Sequence, residues 1–487
     1  MYAVLCFDTE DVFTPPEYGT DDVPKWLADI LTEHGLRGSF FVFAEKARML
    51  KQRGRTDVIK SLLQHDVASH QQGNVRPLIP EICAHKGWRD GVAAMREYED
   101  VVKADFLDAF GREPVALSQH NSYFAPQHVA VAGERGLPYM YGLASIPDYQ
   151  QPTWYAGALT FGAGYDSEYF EWGDWLYSSD APFEKELRRL AAFIDDHVER
   201  GSEFVTIFTG HPVQVIGRGW VEHYLFPSGM SKTPQELGWV YAVKTPQEAE
   251  RARANFARLA AYLRDHPALK VVGVEEAGRL FGSQPAEITR DELTSYAEQV
   301  ADEARPVSHS TFSPAEMMCG LAESLVEAET RGDVPYAVRR REVLGPTSRP
   351  AVGREVDIVP YQQVLAASRE VLQGVESDGF LTANVVTEAG RLGAGQLLVL
   401  FSRCYLAAAR YERYEHLRVP EAPRYPQAAA LASQMLHDQL DEHWGFPLDF
   451  SCEQLAEHTR LQTWAMKPAW LRPPRASSYG EGRIRLC

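Results

Sequence analysis

Up to Gln284, short apolar runs alternate with stretches of helical periodicity. YAVLCF at the N-terminus is a buried-strand pattern, and DDVPKWLADILTEHG carries apolar residues at helical spacing before Gly35, a C-terminal stop. SFFVF, from Ser39, predicts the next strand. Helices are predicted over Ala44–Gln64, Trp88–Phe110 and Gln247–His266. Further short strands are predicted at Asp66–Ser69, Pro114–Ser118, Pro138–Tyr141 and Phe204–Phe208, with LKVVGV as the last. Repeated strand–helix units predict a parallel sheet covered by helices, and closure into a (β/α) barrel is the expectation at this length. In such folds chemistry collects at the C-terminal ends of strands. Asp8, His70, Gln119 and His211 fall there.

After Gln284 the pattern changes. ELTSYAEQVADEA, SPAEMMCGLAESLVEAE, YQQVLAASREVLQGV and GAGQLLVLFSRCYLAAARYERYEHL are helical and Ala/Leu/Glu/Arg-rich. SPAEMMCGLAESL resembles GAGQLLVLFSRCYL, which hints at an internal duplication. The expected organisation is an α/β domain over 1–284, a mainly α-helical domain over 285–467, and an extended Pro/Arg/Ser-rich tail over 468–487.

Composition narrows the function. The 487 residues carry a formal charge of −18, with 45% hydrophobic and 24% charged residues, so both regions are expected to fold. The acidic balance argues against nucleic acid, which needs a basic face, and against an anionic membrane surface. None of the six cysteines stands at a zinc-knuckle or CxxC spacing, so reduced, buried thiols are expected. No charged and then apolar leader pattern precedes the N-terminal strand pattern, so no signal peptide is expected, and no apolar run is long enough for a membrane span. The expected location is cytoplasmic.

Four segments could carry chemistry. FDTED (Phe7–Asp11) crowds three carboxylates at a strand end. This is unfavourable unless a metal or proton lies between them, although solvated side chains at an acidic junction are the more ordinary explanation of these residues alone. HDVASH places His65 and His70 around a short strand; either could ligate a metal or be an ordinary hydrogen-bonded histidine. SQHNSYFAPQ offers Gln119, His120 and Asn121 in a polar loop that could hold a polar substrate or be a plain helix lead-in. FTGHPV puts His211 at a strand end, where imidazole is a natural general acid. YFEWGDWLY (Tyr169–Tyr177) reads as packing or as a sugar-facing surface. No GxSxG elbow supports a serine hydrolase, and FGAGYDS and GRGW lack the strand–glycine–helix context of a nucleotide site.

Taken in order, FDTEDVFTPPEYGTDDVPKWLADILTEHGLRGSFFVFAEKARML, GRTDVIKSLLQHDVASH, GWRDGV, FGREPVALSQHNSYFAPQ and GHPVQVIGRGW resemble the polysaccharide deacetylase family (carbohydrate esterases of the fourth class), and within it a subgroup whose first motif reads FDTED. The resemblance spans Met1–Gly282. It implies a distorted parallel (β/α) barrel and a hydrolase that removes N-acetyl or related acyl groups with a divalent metal, zinc above all. By position it implies Asp8 as general base and His211 as general acid. Glu10, His70 and the residue at position 74 would bind metal, and Gln119, His120, Asn121 and Trp220 would line the substrate site. The chain departs from the pattern at Asn74, where the family has a second histidine, at Arg76 before Pro77, and at His120–Asn121, where the family has proline and glycine. One reading is that His120 replaces the missing ligand. The implied substrate is an acylated carbohydrate or related small molecule. The alternatives are a catalytically impaired carbohydrate-binding or regulatory protein on the same fold, or an amidohydrolase of a non-sugar amide. The helical region could pack on the barrel or form a homo-oligomer.

Overall fold

The computed structural model describes residues 1–120, 124–140, 152–162, 169–225, 228, 232–353, 357–388, 390–426 and 452–472. These form two compact units. The first contains Met1–Pro152 and Ala158–Phe281; the second contains Thr153–Gly157 and the described residues from Gly282 onward, Cys452 excepted.

Among its described residues the first unit is built on nine parallel strands: β1 (Tyr2–Thr9), β2 (Ser39–Val42), β3 (Asp66–Ser69), β4 (Leu117–Ser118), β5 (Tyr139–Met140), β6 (Ala158–Phe161), β7 (Tyr169–Glu171), β8 (Phe204–Phe208) and β9 (Lys270–Val272). Their order is β6-β5-β4-β3-β2-β1-β8-β7. Strand β1 is the axis of this sheet. β8 pairs along one edge from Tyr2 to Cys6. The other edge is shared in sequence by β9 at Tyr2–Val4 and by β2 at Cys6–Thr9. A strand with partners on both edges and helices over the sheet is buried throughout, which is why YAVLCF reads as a continuous apolar run rather than an alternation. Phe7 stacks on Phe40 with ring centroids 4.6 Å apart, and Phe256 closes over Phe7 from the helix Pro246–Asp265.

The sheet is mostly parallel and forms a partial barrel in keeping with the expected (β/α) type, with no pairing between β6 and β7 among the described residues. His65, weighed as a ligand, is a structural pin instead. Its Nε2 lies 2.8 Å from the Ala28 carbonyl, and its Nδ1 accepts the Gly38 N–H at 3.2 Å.

The second unit contains two strand–helix–helix–strand modules. In the first, helices Arg290–Glu303 and Pro314–Arg331 lie between strands Glu287–Thr289 and Ala337–Arg339, which pair antiparallel. In the second, helices Tyr361–Asp378 and Ala394–Ala408 lie between strands Ile358–Pro360 and His416–Arg418, also antiparallel, with a hairpin between the helices. The two segments whose sequences resemble each other are the second helices of the two modules. All four helices share one core that includes Leu293, Leu321, Val364 and Leu398. The paired strands were not foreseen, because three or four residues are too few to show a period.

Among the described residues, Cys6, Cys83, Cys319, Cys404 and Cys452 are buried thiols. No described helix is long and apolar enough to cross a membrane.

Candidate active site

The site forms where β1, β3, β4 and β8 end. Side chains alternate sides along an extended strand, so Asp8 and Glu10 project together while Asp11 points away. Asp11 accordingly leaves the acidic cluster. It accepts the Thr14 N–H and hydroxyl on Oδ1, at 3.1 and 2.8 Å, and the Thr20 hydroxyl on Oδ2 at 2.8 Å. The loop is clamped by buried Lys46, whose Nζ donates to the Asp11 carbonyl at 2.6 Å and to Asp21. Arg53 also donates to Asp21, at 2.6 Å. One of three crowded carboxylates is therefore a turn anchor and two remain for chemistry.

His70 follows β3, and its N–H donates to the Val42 carbonyl. Its Nδ1 lies 2.7 Å from Ser118 Oγ, and that hydroxyl donates to the Ser69 carbonyl at 2.8 Å. A hydroxyl already donating must accept from Nδ1–H, which leaves the Nε2 lone pair facing the site. Nε2 stands 3.3 Å from Glu10 Oε2 and 3.4 Å from Asp8 Oδ2. His120, just beyond β4, brings its Nε2 to 3.1 Å from Glu10 Oε2. Phe43 packs both rings, stacked on His70 and edge-on to His120.

His211 approaches from β8, with Nε2 3.2 Å from Glu10 Oε1. Asp174 holds it twice: Oδ1 accepts the His211 main-chain N–H and Oδ2 contacts Nδ1, both at 2.8 Å. Gly210 makes this possible. Its φ is +105°, and a Cβ there would lie 1.6 Å from Asp174 Oδ1. Trp220 lies against His211, with ring centroids 4.9 Å apart.

Electrostatics separate the two carboxylates. Burial pushes Asp8 up to about 6, against the opposing pull of His70 and with the help of the Glu10 charge. Burial also opposes ionisation of Glu10, but the His120 imidazole, together with His70 and His211, overcomes it and holds this carboxyl well below its usual range. Burial lowers the proton affinity of His120, yet Glu10 and Glu222 reverse this and raise it to about 10. For His211 the same opposition is overcome by Asp174, then Glu10 and Asp8, which raise it well above its ordinary value.

Glu10, His70 and His120 place one ligand atom each within 4.8 Å of one another, all buried. Both Oε atoms of Glu10 are buried and accept no hydrogen bond of proper geometry. A buried carboxylate ringed by imidazole nitrogens fits a divalent cation. Asn74 lies beside the site, and its Nδ2 donates to Glu222. Gln119 is buried, with its N–H on the Met140 carbonyl. Asn121 lies outside the described residues. Asp174 and Glu222 were missed in the sequence. Asp174 is hidden in the aromatic run YFEWGDWLY, and Glu222 lies in a stretch without periodicity.

No family model matches the chain, and no curated protein matches it. Solved structures resemble it at low identity. A Mycobacterium smegmatis protein assigned as a polysaccharide deacetylase is 15% identical, with 59% of this chain and 93% of that one covered and a TM-score of 0.37. A family 4 carbohydrate esterase from Streptomyces lividans, in complex with acetate, is 15% identical over 57% and 95%, with a TM-score of 0.31. Puue allantoinase is 11% identical over 57% and 89%, with a TM-score of 0.35. None of these likenesses assigns an activity to this chain.

Proposed function

We propose that the chain is a metal-dependent hydrolase that removes an N-acetyl or related acyl group from an N-acylated sugar or similar carbohydrate-derived substrate. One observation carries this reading: Glu10, His70 and His120 converge as a cation site with Asp8 and His211 at its edge. A divalent ion, zinc by preference, would be held by these three residues and would supply Lewis-acid polarisation of the acyl carbonyl and a more acidic water.

The chain's own residues supply the proton traffic. Asp8, ionised above about pH 6, takes a proton from the water whose oxygen attacks the acyl carbon. Glu10, held well below the usual carboxylate range, is too weak a base to compete for that proton. His211, kept protonated by Asp174, gives its proton to the leaving nitrogen as the C–N bond breaks, so the products are a carboxylic acid and a free amine. Trp220 packs against that imidazole.

The test is acetate release from N-acetylated sugar oligomers by the full chain, with metal analysis after mild purification. Release that stops with chelator and returns with zinc supports the reading. Bound metal without release from sugars, but with release from a cyclic or linear non-sugar amide, would redirect it to an amidohydrolase. Absence of both metal and release would leave a carbohydrate-binding protein.

A further inference from the structure

Glu222 is 3% exposed and lies on the same side of His120 as Glu10 does. Its Oε1 is 3.5 Å from His120 Nε2, the same nitrogen that stands 3.1 Å from Glu10 Oε2. This detail decides its role. A carboxylate that merely orients a metal-binding imidazole touches the ring nitrogen turned away from the ion. Glu222 instead addresses the nitrogen turned toward it. Asn74 stands one step farther back, its amide donating to Glu222 Oε1.

We propose that Glu222 is a further carboxylate ligand of the divalent cation, and that Asn74 is the positioning residue that aims it. The proposal rests on the metal-dependent reading of the site. Where the sequence resemblance expects a second histidine at position 74, two residues of this chain share that role. His120 supplies the imidazole and Glu222 a fourth ligand. Two neutral imidazoles and two carboxylates cancel the charge of a divalent ion. They also give the site a more oxygen-rich donor set than an imidazole-richer one would have. Asn74 is neutral and donates to the Glu222 carboxylate, so its contribution is to hold that carboxylate in place.

The experiment is titration of chelator-stripped full chain with cobalt(II), read by visible absorption and by ion content per chain. Circular dichroism checks the fold. Wild type is expected to take up one ion per chain. Glu222→Gln is expected to bind it at least about tenfold more weakly and with a shifted absorption band. Glu222→His, which restores a ligand of different chemistry, is expected to keep the ion with an altered spectrum. Asn74→Ala is expected to weaken binding less and to leave the band in place. A Glu222→Gln chain with wild-type affinity and spectrum overturns the proposal. If that variant fails to fold, a Glu222→His spectrum identical to wild type overturns it. Failure of the underlying reading looks different: wild type itself takes up no ion, and both proposals fall together. An ion lost in Glu10→Gln and unaffected in both Glu222 variants removes the role of Glu222 alone.

Discussion

Glu10 in the first unit and Glu316 in the second are both almost wholly buried, and each stands beside nitrogen-bearing side chains. Their surroundings differ in kind. Glu316 closes a capping box with Ser313, accepts the Ser313 N–H at 2.8 Å, and takes Lys467 Nζ at 2.6 Å and Arg340 Nη1 at 2.8 Å on its other oxygen. Burial opposes its charge, but Lys467 outweighs this and keeps it ionised. Glu10 has only imidazoles, whose protons are conditional, and no donor of fixed charge. A buried charge with permanent partners is a structural fastening; one with titratable partners is poised to take a cation or a proton. The same residue type therefore stabilises one unit and is held ready for chemistry in the other.

The comparison breaks first if the carboxylates of the first unit prove structural. Asp8→Asn keeps the shape but cannot accept a proton. It is expected to lower acetate release by about a thousandfold, within the range of general-base loss, with metal content unchanged. An Asp8→Asn chain with near-wild-type turnover would show that the cluster is not the proposed catalytic one.

Glu316→Gln probes the other side. It leaves Lys467 and Arg340 without a buried counter-charge and is expected to destabilise the second unit by about 3–5 kcal/mol, read by urea unfolding. The ion content of the first unit should not change. The double change Glu316→Gln with Lys467→Met is expected to recover part of the loss, because no unpaired ammonium then remains at that position.

How much of this was legible depends on what the sequence encodes locally. β1, β2 and β8 are continuous apolar runs, so their ends, and with them Asp8 and His211, could be read directly. Asp8 and Glu10 share a side because of the two-residue strand period, which the spacing also shows. The partners were not legible. Asp174 contacts His211 across 37 positions and sits among aromatics that read as packing, while Glu222 meets Asn74 across 148. No period or turn signal links such distant pairs. Asp11 misled for the opposite reason: its sequence neighbours are acidic, but its spatial neighbours are the hydroxyls of Thr14 and Thr20. The glycine in FTGHPV was a usable signal in retrospect, since Gly210 leaves the space that the Asp174 carboxylate occupies.

A smaller effect sharpens the comparison inside the first unit. Asp174→Asn keeps the His211 main-chain contact and removes the charge that favours its protonated ring. The proton affinity of His211 falls, and a general acid works only below its own titration point. Turnover is expected to drop by about a hundredfold near neutrality, and the alkaline limb of kcat to move to lower pH. A merely structural role for Asp174 would lower activity without moving that limb.

The smallest effect tests whether the second unit holds a conditional charge of its own. Burial pushes His309 down to about 4, only weakly opposed by Glu316. Geometry adds a reason: Nδ1 accepts the N–H groups of Thr311 and Phe312, at 3.1 and 3.2 Å, which a protonated nitrogen cannot do. The folded chain therefore prefers neutral His309, while the unfolded chain protonates it near 6.5. The stabilisation is complete above about pH 6.5 and is lost as pH falls from there toward 4, where the unfolded state binds the extra proton. After discounting for partial exposure, it amounts to about 1–2 kcal/mol. His309→Asn offers an oxygen to the same N–H groups and does not titrate. Its melting temperature is expected to depend less on pH between about 4 and 6.5 than that of wild type, with little change at about pH 8. Equal slopes in the two chains would mean that His309 takes up its proton as readily in the folded chain as in the unfolded one, so that its contacts do not hold it neutral.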